Sequence, residues 1–338
     1  MKKILISAIA VFAVLQASAQ EKLPVNFSGY VELYYNYNTD QPANHENEPF
    51  YYNYKRHNEL NLNLIYAKAN YDTGNLRANL ALMAGNYAQY NLASEPTWAQ
   101  FIYEANLGFK ISKTKNLWID AGILPSHIGF ETAVGADNYT LTRSILAENS
   151  PYYEMGAKLS YTNPKNNFMY SLLVLNGWQR IQRLDSVQKP SMGMQFTYKP
   201  KENITLNYSN FIGSDKPDSY KAWRIFHNLY AIYDITKKWS FIAGFDIGTD
   251  KYDRQHYGYW YAPIVIGRYS LSEKSKLAFR IENYNDKNQI VVSYPNSTKT
   301  NIWGYSINYD QTVLKNLLWR IECKYLTMQT ALKPNAFY

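Results

Sequence analysis

The 338-residue chain reads as an all-β protein: a transmembrane, antiparallel, up-and-down β-barrel of about sixteen strands when complete. Three observations lead there. Apolar and polar side chains alternate two by two along most of the chain, the connections alternate between short and long, and the composition holds 33 Tyr, 14 Phe and 8 Trp. Aromatic residues make up 16% of the chain and charged residues only 18%. Tyr and Trp favour positions that are apolar on one side and wet on the other, as at a membrane interface. The mean hydropathy of −0.44 fits the same reading, because every second residue of a barrel strand faces a polar interior and the signal cancels.

The first residues, "MKKILISAIAVFAVLQASAQ", have the layout of a secretory signal peptide. Lys2 and Lys3 form a basic start, Ile4 to Leu15 an apolar stretch, and Ala17-Ser18-Ala19 a small-residue cleavage site. That stretch falls short of the ~20 residues that span a bilayer as a helix. Residues 1–19 are therefore expected to be removed, and export to the bacterial outer membrane is expected. Residues 20–338 carry no Pro/Gly/Ser linker or change of composition, so one continuous barrel is expected there.

The strands follow in order. Phe27, Gly29, Val31, Leu33, Tyr35 and Tyr37 share one face, and Ser28, Tyr30, Glu32, Tyr34 and Asn36 the other. Leu60, Leu62, Leu64 and Tyr66 oppose Glu59, Asn61 and Asn63; Phe101, Tyr103, Ala105, Leu107, Phe109 and Ile111 oppose Glu104, Asn106 and Lys110. Leu117, Ile119, Ala121 and Ile123 oppose Asp120 and Gly122, and Met155, Ala157, Leu159 and Tyr161 oppose Glu154 and Lys158. Later come Trp239 to Ile247, Leu277 to Glu282, and Leu317 to Tyr325, whose apolar face is backed by Arg320, Glu322 and Lys324. Turning that last strand over would cost ~2–4 kcal/mol for each cation at the bilayer midplane. The apolar face is thus assigned to lipid and the charged face to a lumen.

About fifteen such segments are present, many of the ~9–11 residues that cross a bilayer when tilted. Their faces are least clean between Tyr220 and Tyr233. Short connections such as "DTGN", "SKTKN" and "TKK" alternate with long polar ones, notably Asn38 to Arg56, Gly85 to Gln100 and Pro125 to Pro151. This is the rhythm of periplasmic turns and extracellular loops. Single-chain bacterial barrels have an even strand count. After Met328 the sequence reads "QTALKPNAFY", with Pro334 opposing a strand, so the expectation is a truncated chain whose sixteenth strand is missing.

Several classes are excluded. One cysteine, Cys323, rules out an intrachain disulfide framework or a Cys-rich metal site. The net charge of +8 includes the two leader lysines and forms no basic stripe, so nucleic acid is not an expected partner. His45, His57, His227 and His256 are scattered without H-x-x-H spacing, and Ser126-His127 are chain neighbours, which on a strand point to opposite faces. No catalytic residue, metal or cofactor is assigned.

The segment Ala121 to Tyr161 carries a recognisable series of motifs: Gly122 and Pro125, Gly129-Phe130-Glu131, Asp137-Asn138, Thr142-Arg143-Ser144, Pro151-Tyr152-Tyr153 and Gly156. Together with "LNGW" at Leu175 to Trp178 and "SMGMQFTYKP" from Ser191, it resembles the OmpL-like β-barrel porins of Bacteroidetes outer membranes. The resemblance covers most of the chain after the leader and is motif-specific in its middle third. It implies an outer-membrane channel, and the closing strand usual in that family is not found here.

In general porins the third extracellular loop folds inward and narrows the pore, and residues 125–151 are similar to it in position and length. Selectivity then rests on the width of the constriction and the charges lining it. Glu131, Asp137, Arg143 and Glu148 are the candidates on the loop side. Lys158, Arg280, Arg320 and Lys324 are the candidates on the facing wall, by parity. An alternative for any of them is structural pairing, as between Arg143 and Asp137, Arg280 and Glu282, or Arg320 and Glu322. Passive diffusion of small hydrophilic solutes and ions is the expected function, with outer-membrane lipid as the surrounding partner. A sugar- or oligosaccharide-selective channel using inward tyrosines (Tyr30, Tyr34, Tyr152, Tyr284) and a non-conducting surface barrel are the alternatives. The sequence leaves open whether three copies associate as a homotrimer.

Overall fold

The computed structural model describes residues 24–294 and 297–332. The leader and the tail from 333 lie outside the described residues, and with them the expectation of a cleaved signal peptide. Fifteen strands form one sheet in chain order: β1 (Val25–Tyr35), β2 (Leu60–Asp72), β3 (Leu76–Ala84), β4 (Ile102–Lys110), β5 (Asn116–Pro125), β6 (Tyr153–Thr162), β7 (Phe168–Leu175) and β8 (Ser191–Lys201). They continue as β9 (Ile204–Gly213), β10 (Arg224–Asp234), β11 (Trp239–Lys251), β12 (Tyr257–Ser270), β13 (Ser275–Asp286), β14 (Ser297–Leu314) and β15 (Leu317–Leu332). Every neighbouring pair is antiparallel. The segment with the least clean faces is therefore a full strand, β10. Among the described residues β1 and β15 are the two edges of the sheet, and an odd count makes them run in the same direction.

The outer face is apolar and bare. Val31, Leu33, Leu80, Leu82, Leu107, Val174, Val265, Ile281, Ile307 and Ile321 are all exposed there. Aromatic residues gather at both ends of the strands: Trp239, Phe241 and Tyr269 at the short-turn end, with ring centroids 4.7 to 5.7 Å apart, and Tyr257, Tyr259, Trp303 and Tyr305 at the other. An apolar band between two aromatic girdles is the surface a bilayer demands.

Within β1 to β4 the alternation is interrupted twice, and the faces assigned to Leu64, Tyr66 and Tyr103 change with it. In the β1–β2 pair the register slips between Glu32 and Leu33, so that Glu32 faces Leu64 while Leu33 faces Leu62. Asn63 and Leu64 are both buried, and beyond the bulge Ile65 turns outward while Tyr66 and Lys68 turn inward. Leu64 and Tyr66 thus leave the lipid face expected for them. A second slip, between Ala81 and Leu82, skips Tyr103 and lets it lie against Tyr66, with centroids 5.0 Å apart and the rings parallel within 5°. A bulge adds one residue to one strand, and every side chain beyond it changes sides.

Gly122 and Gly156 face each other across β5 and β6. Gly122 has φ +129°, and a Cβ there would stand 2.2 Å from the Ala105 carbonyl oxygen. Only glycine accepts both conditions.

The long connections fold into the ring of strands. L1 (36–59), L2 (85–101, with a π-helical turn Tyr87–Asn91) and L3 (126–152, with the single helical turn α1, Ile145–Glu148) form a buried core with the inner wall. Phe50 of L1, Tyr87 and Leu92 of L2, and Ile145 and Leu146 of L3 are at most 3% exposed. Ser144 caps α1 by accepting a hydrogen bond from the Ala147 amide.

Candidate pore site

L3 leaves β5 at Pro125 and is tied to the wall along its length. His127 Nδ1 lies 2.7 Å from Glu154 of β6 and its Nε2 2.8 Å from the Asn210 carbonyl of β9. The Gly129 amide donates to Asn228 of β10, and Phe130 packs edge-on against Tyr230. Leu141 and Thr142 donate backbone N–H groups to Asn308 of β14 and Glu322 of β15. The Ile145 amide donates to Glu282 of β13 at 2.6 Å. The Ala136 amide donates to the Tyr30 hydroxyl of β1.

The four loop-side candidates part company. Arg143 is fully buried: it donates to the carbonyls of Thr132, Ala133 and Leu141 and to the Tyr54 hydroxyl, with Glu32 at 3.8 Å. Glu131 accepts from the Ser144 amide and hydroxyl, and burial pushes its carboxyl above the ordinary range. Glu148 accepts from the amides of Tyr52 and Asn53 and from the Asn53 side chain, joining L3 to L1. Burial raises it to about 7, although those donors pull the other way. Asp137 is exposed; its amide donates to the Val134 carbonyl, and its carboxylate has no hydrogen bond or ion pair among the described residues. The pairing of Arg143 with Asp137 is not made.

On the wall, three of the four cations are engaged. Arg280, fully buried, donates to Thr140 and Thr142 of L3 and to Glu322 at 2.8 Å, with Glu282 at 3.3 Å and Glu131 at 4.0 Å. Arg320 pairs with Asp310, rather than with Glu322, and donates to the carbonyls of Gly135 and Asn138. Lys324 sits 2.9 Å from Glu282 and over the Tyr51 ring. Lys158 is half-buried and has no ion pair among the described residues. Arg280, Arg320 and Lys324 are clamps that hold the loop; Asp137 and Lys158 keep their charge uncompensated.

The clamps are also one-sided. From Gly129 to Ser150 the loop bonds to β1, β10, β13, β14, β15 and L1, and among the described residues none of these bonds reaches β2 to β7. The inner face of β2 to β6 carries Tyr66, Lys68, Asn70, Arg77, Asn79, Glu104, Asn106 and Lys158. Its charges are mostly paired in place, Lys68 with Glu104 at 2.6 Å and Arg77 with Asp120 at 2.6 Å.

The family model described as "Putative beta-barrel porin-2, OmpL-like" matches residues 24–336. The chain belongs to this family of β-barrel porins. The porin is an outer-membrane, channel-type barrel; among the described residues no cluster of His, Cys, Asp or Glu could hold a metal ion. Its fold is that of solved porins from distant bacteria. The anion-selective porin from Comamonas acidovorans superposes with a TM-score of 0.58 at 10% identity, over 91% of this chain and 90% of that one. The outer-membrane channel DcaP of Acinetobacter baumannii gives 0.59 at 12%, over 90% and 91%. The trimer form of Vibrio cholerae OmpT gives 0.54 at 10%, over 92% and 90%. No curated protein sequence matches the porin.

Residues missed from the sequence are mainly acceptors. Glu32 was not singled out, and Glu282 and Glu322 were named only as pairing partners of Arg280 and Arg320; all three hold the clamps, and their inward parity was as legible as that of the cations. Tyr54 of L1 carried no signal, since a loop has no parity. Of the four inward tyrosines singled out, Tyr34, Tyr152 and Tyr284 are buried and only Tyr30 stays half-exposed.

Proposed function

We propose that the porin passes small hydrophilic solutes and ions by passive diffusion, through a water-filled passage between L3 and the inner face of β2 to β7. The observation that carries this reading is the one-sidedness of the clamps: from Gly129 to Ser150 L3 is bonded to β1, β10 and β13 to β15, and Lys68, Asn70, Arg77, Asn79, Asn106 and Lys158 on the wall opposite stay partly exposed. Asp137 and Lys158 set the charge selectivity, because they alone among the eight candidates have side chains that are neither paired nor hydrogen-bonded among the described residues. The buried arginines fix the width.

The reading includes closure by a sixteenth strand. A cavity of about 1410 Å³ lies between Val31 and Leu33 of β1 and Leu317 and Trp319 of β15. A strand there, running opposite to both edges, would pair antiparallel with each and leave no backbone edge in lipid. Assembly as a homotrimer is proposed by likeness to the trimer form of OmpT.

Single-channel current across a planar bilayer under a KCl gradient tests the function. Stable conductance steps are expected. D137N is expected to move the reversal potential toward anion preference and K158Q toward cation preference, each by several millivolts, with R143Q moving it less than either. A folded protein without conductance would refute the channel.

A further inference from the structure

We propose that the lumen wall of β1 to β4 is a saccharide-binding track, an inference that rests on the channel reading and names a solute class for it. Two parallel rows of side chains make up the track. The upper row is aromatic: Tyr30 and Tyr66 stand directly opposite each other in register, 5.8 Å apart and tilted by 30°, and Tyr66 stacks on Tyr103 at 5.0 Å. All three are partly exposed. Four residues lower on β2 the second row begins, and it is made of amides. Asn70 donates to Asn79 at 2.8 Å, Asn79 to Asn106 at 2.9 Å, and Asn106 to Glu104 at 2.9 Å. Next in that row, on β5 and β6, come Gly122 and Gly156, so no side chain stands between Asn106 and the passage on that side.

The chemistry of these rows matches a sugar better than an ion. A pyranose ring has an apolar C–H face and a rim of hydroxyls that both donate and accept. Aromatic rings take the first, and carboxamides, with two donors and two acceptor positions each, take the second. The bonds of the amide row leave one N–H each of Asn70 and Asn79 unspent, while Asn106 spends both of its own, on Glu104 and on the Ile123 carbonyl. Charges on this wall are consumed in pairs, Lys68 with Glu104 and Arg77 with Asp120, so it offers little to attract an ion. Asp137, reaching from L3 to within electrostatic range of Tyr66 and Tyr103, adds an acceptor for hydroxyls and repels anions. The two bulges within β1 to β4 bring Tyr66 and Tyr103 to the inside.

The test is current through the intact porin in a bilayer, with neutral linear oligosaccharides (gluco-, xylo-, manno- and N-acetylglucosamine series) added to one side. Concentration-dependent block by at least one series is expected. The Y66A/Y103A pair is expected to weaken that block at least tenfold while leaving the KCl conductance steps in place; Y66F/Y103F, which keep the rings, are expected to retain it. Heat-modifiable gel migration reports that each variant is folded. Normal KCl conductance with no block by any series, or block unchanged in the alanine pair, would overturn the track. Loss of KCl conductance in the folded wild type would instead overturn the channel reading, and calorimetric titration of the micellar protein with the same sugars would then decide the binding on its own.

Discussion

Glu148 is a buried carboxylate, held by three donors from L1. Its folded value of about 7 stands above the ordinary 4.5. Between those two values the native state binds more protons than the unfolded one, so this group's contribution to stability is full below pH 4.5 and is lost as pH rises through 7. Replacing it by Gln removes the titration and keeps a carbonyl acceptor. Thermal unfolding in micelles between pH 5 and pH 8 is expected to show E148Q gaining on the wild type as pH rises, by up to about 3 kcal/mol; a gain toward low pH would refute the assignment. Parity in the sequence told which wall residues point inward. What it could not tell is that Arg280 and Lys324 would meet Glu282, Glu322 and the loop carbonyls, because those distances depend on where L3 runs.

Strands were the most legible elements, since a lipid face and a lumen face impose period two on every one of them. The failures sit at the bulges. Around Leu62 to Tyr66 the alternation looks uninterrupted in sequence, yet one inserted residue reverses the faces beyond it. The local pattern is the same whether or not the partner strand slips, so the slip is a property of the pair. The β4–β5–β6 region illustrates the reverse case, in which one residue type reports a pair property. At Gly122 the conformation and the Ala105 carbonyl both exclude a side chain. G122A is expected to cost at least about 2 kcal/mol, from strain at a non-glycine positive φ together with the overlap. Heat-modifiable migration on gels would show it as a lowered unfolding temperature, whereas an alanine placed at Gly74, which has open space around it but also a positive φ, should cost less.

At the scale of the molecule the sequence conveyed an inside-out protein and about the right number of strands; the path of L1, L2 and L3 through the interior was not readable. Interior packing of loops joins residues far apart in the chain, as Tyr52 and Glu148 or Thr142 and Arg280, and no short window records it. The overall orientation is open to a direct check. Cys323, the single cysteine, is exposed on the outer face of β15 between Ile321 and Tyr325. A nitroxide attached there in bilayers is expected to collide readily with oxygen and poorly with a water-soluble nickel chelate. The opposite pattern would invert the assignment of faces.

The division of labour among the eight charged candidates has a consequence for how such a barrel changes over generations. Six of them are locked in a buried lattice of ion pairs and backbone donors, where losing one partner strands another. Asp137 and Lys158 belong to no such lattice. On the proposed reading, mutational drift at the six is filtered by folding, while drift at the two is filtered by what crosses the membrane. A lineage can therefore exchange one diet for another by a single substitution without reopening the question of whether the protein assembles.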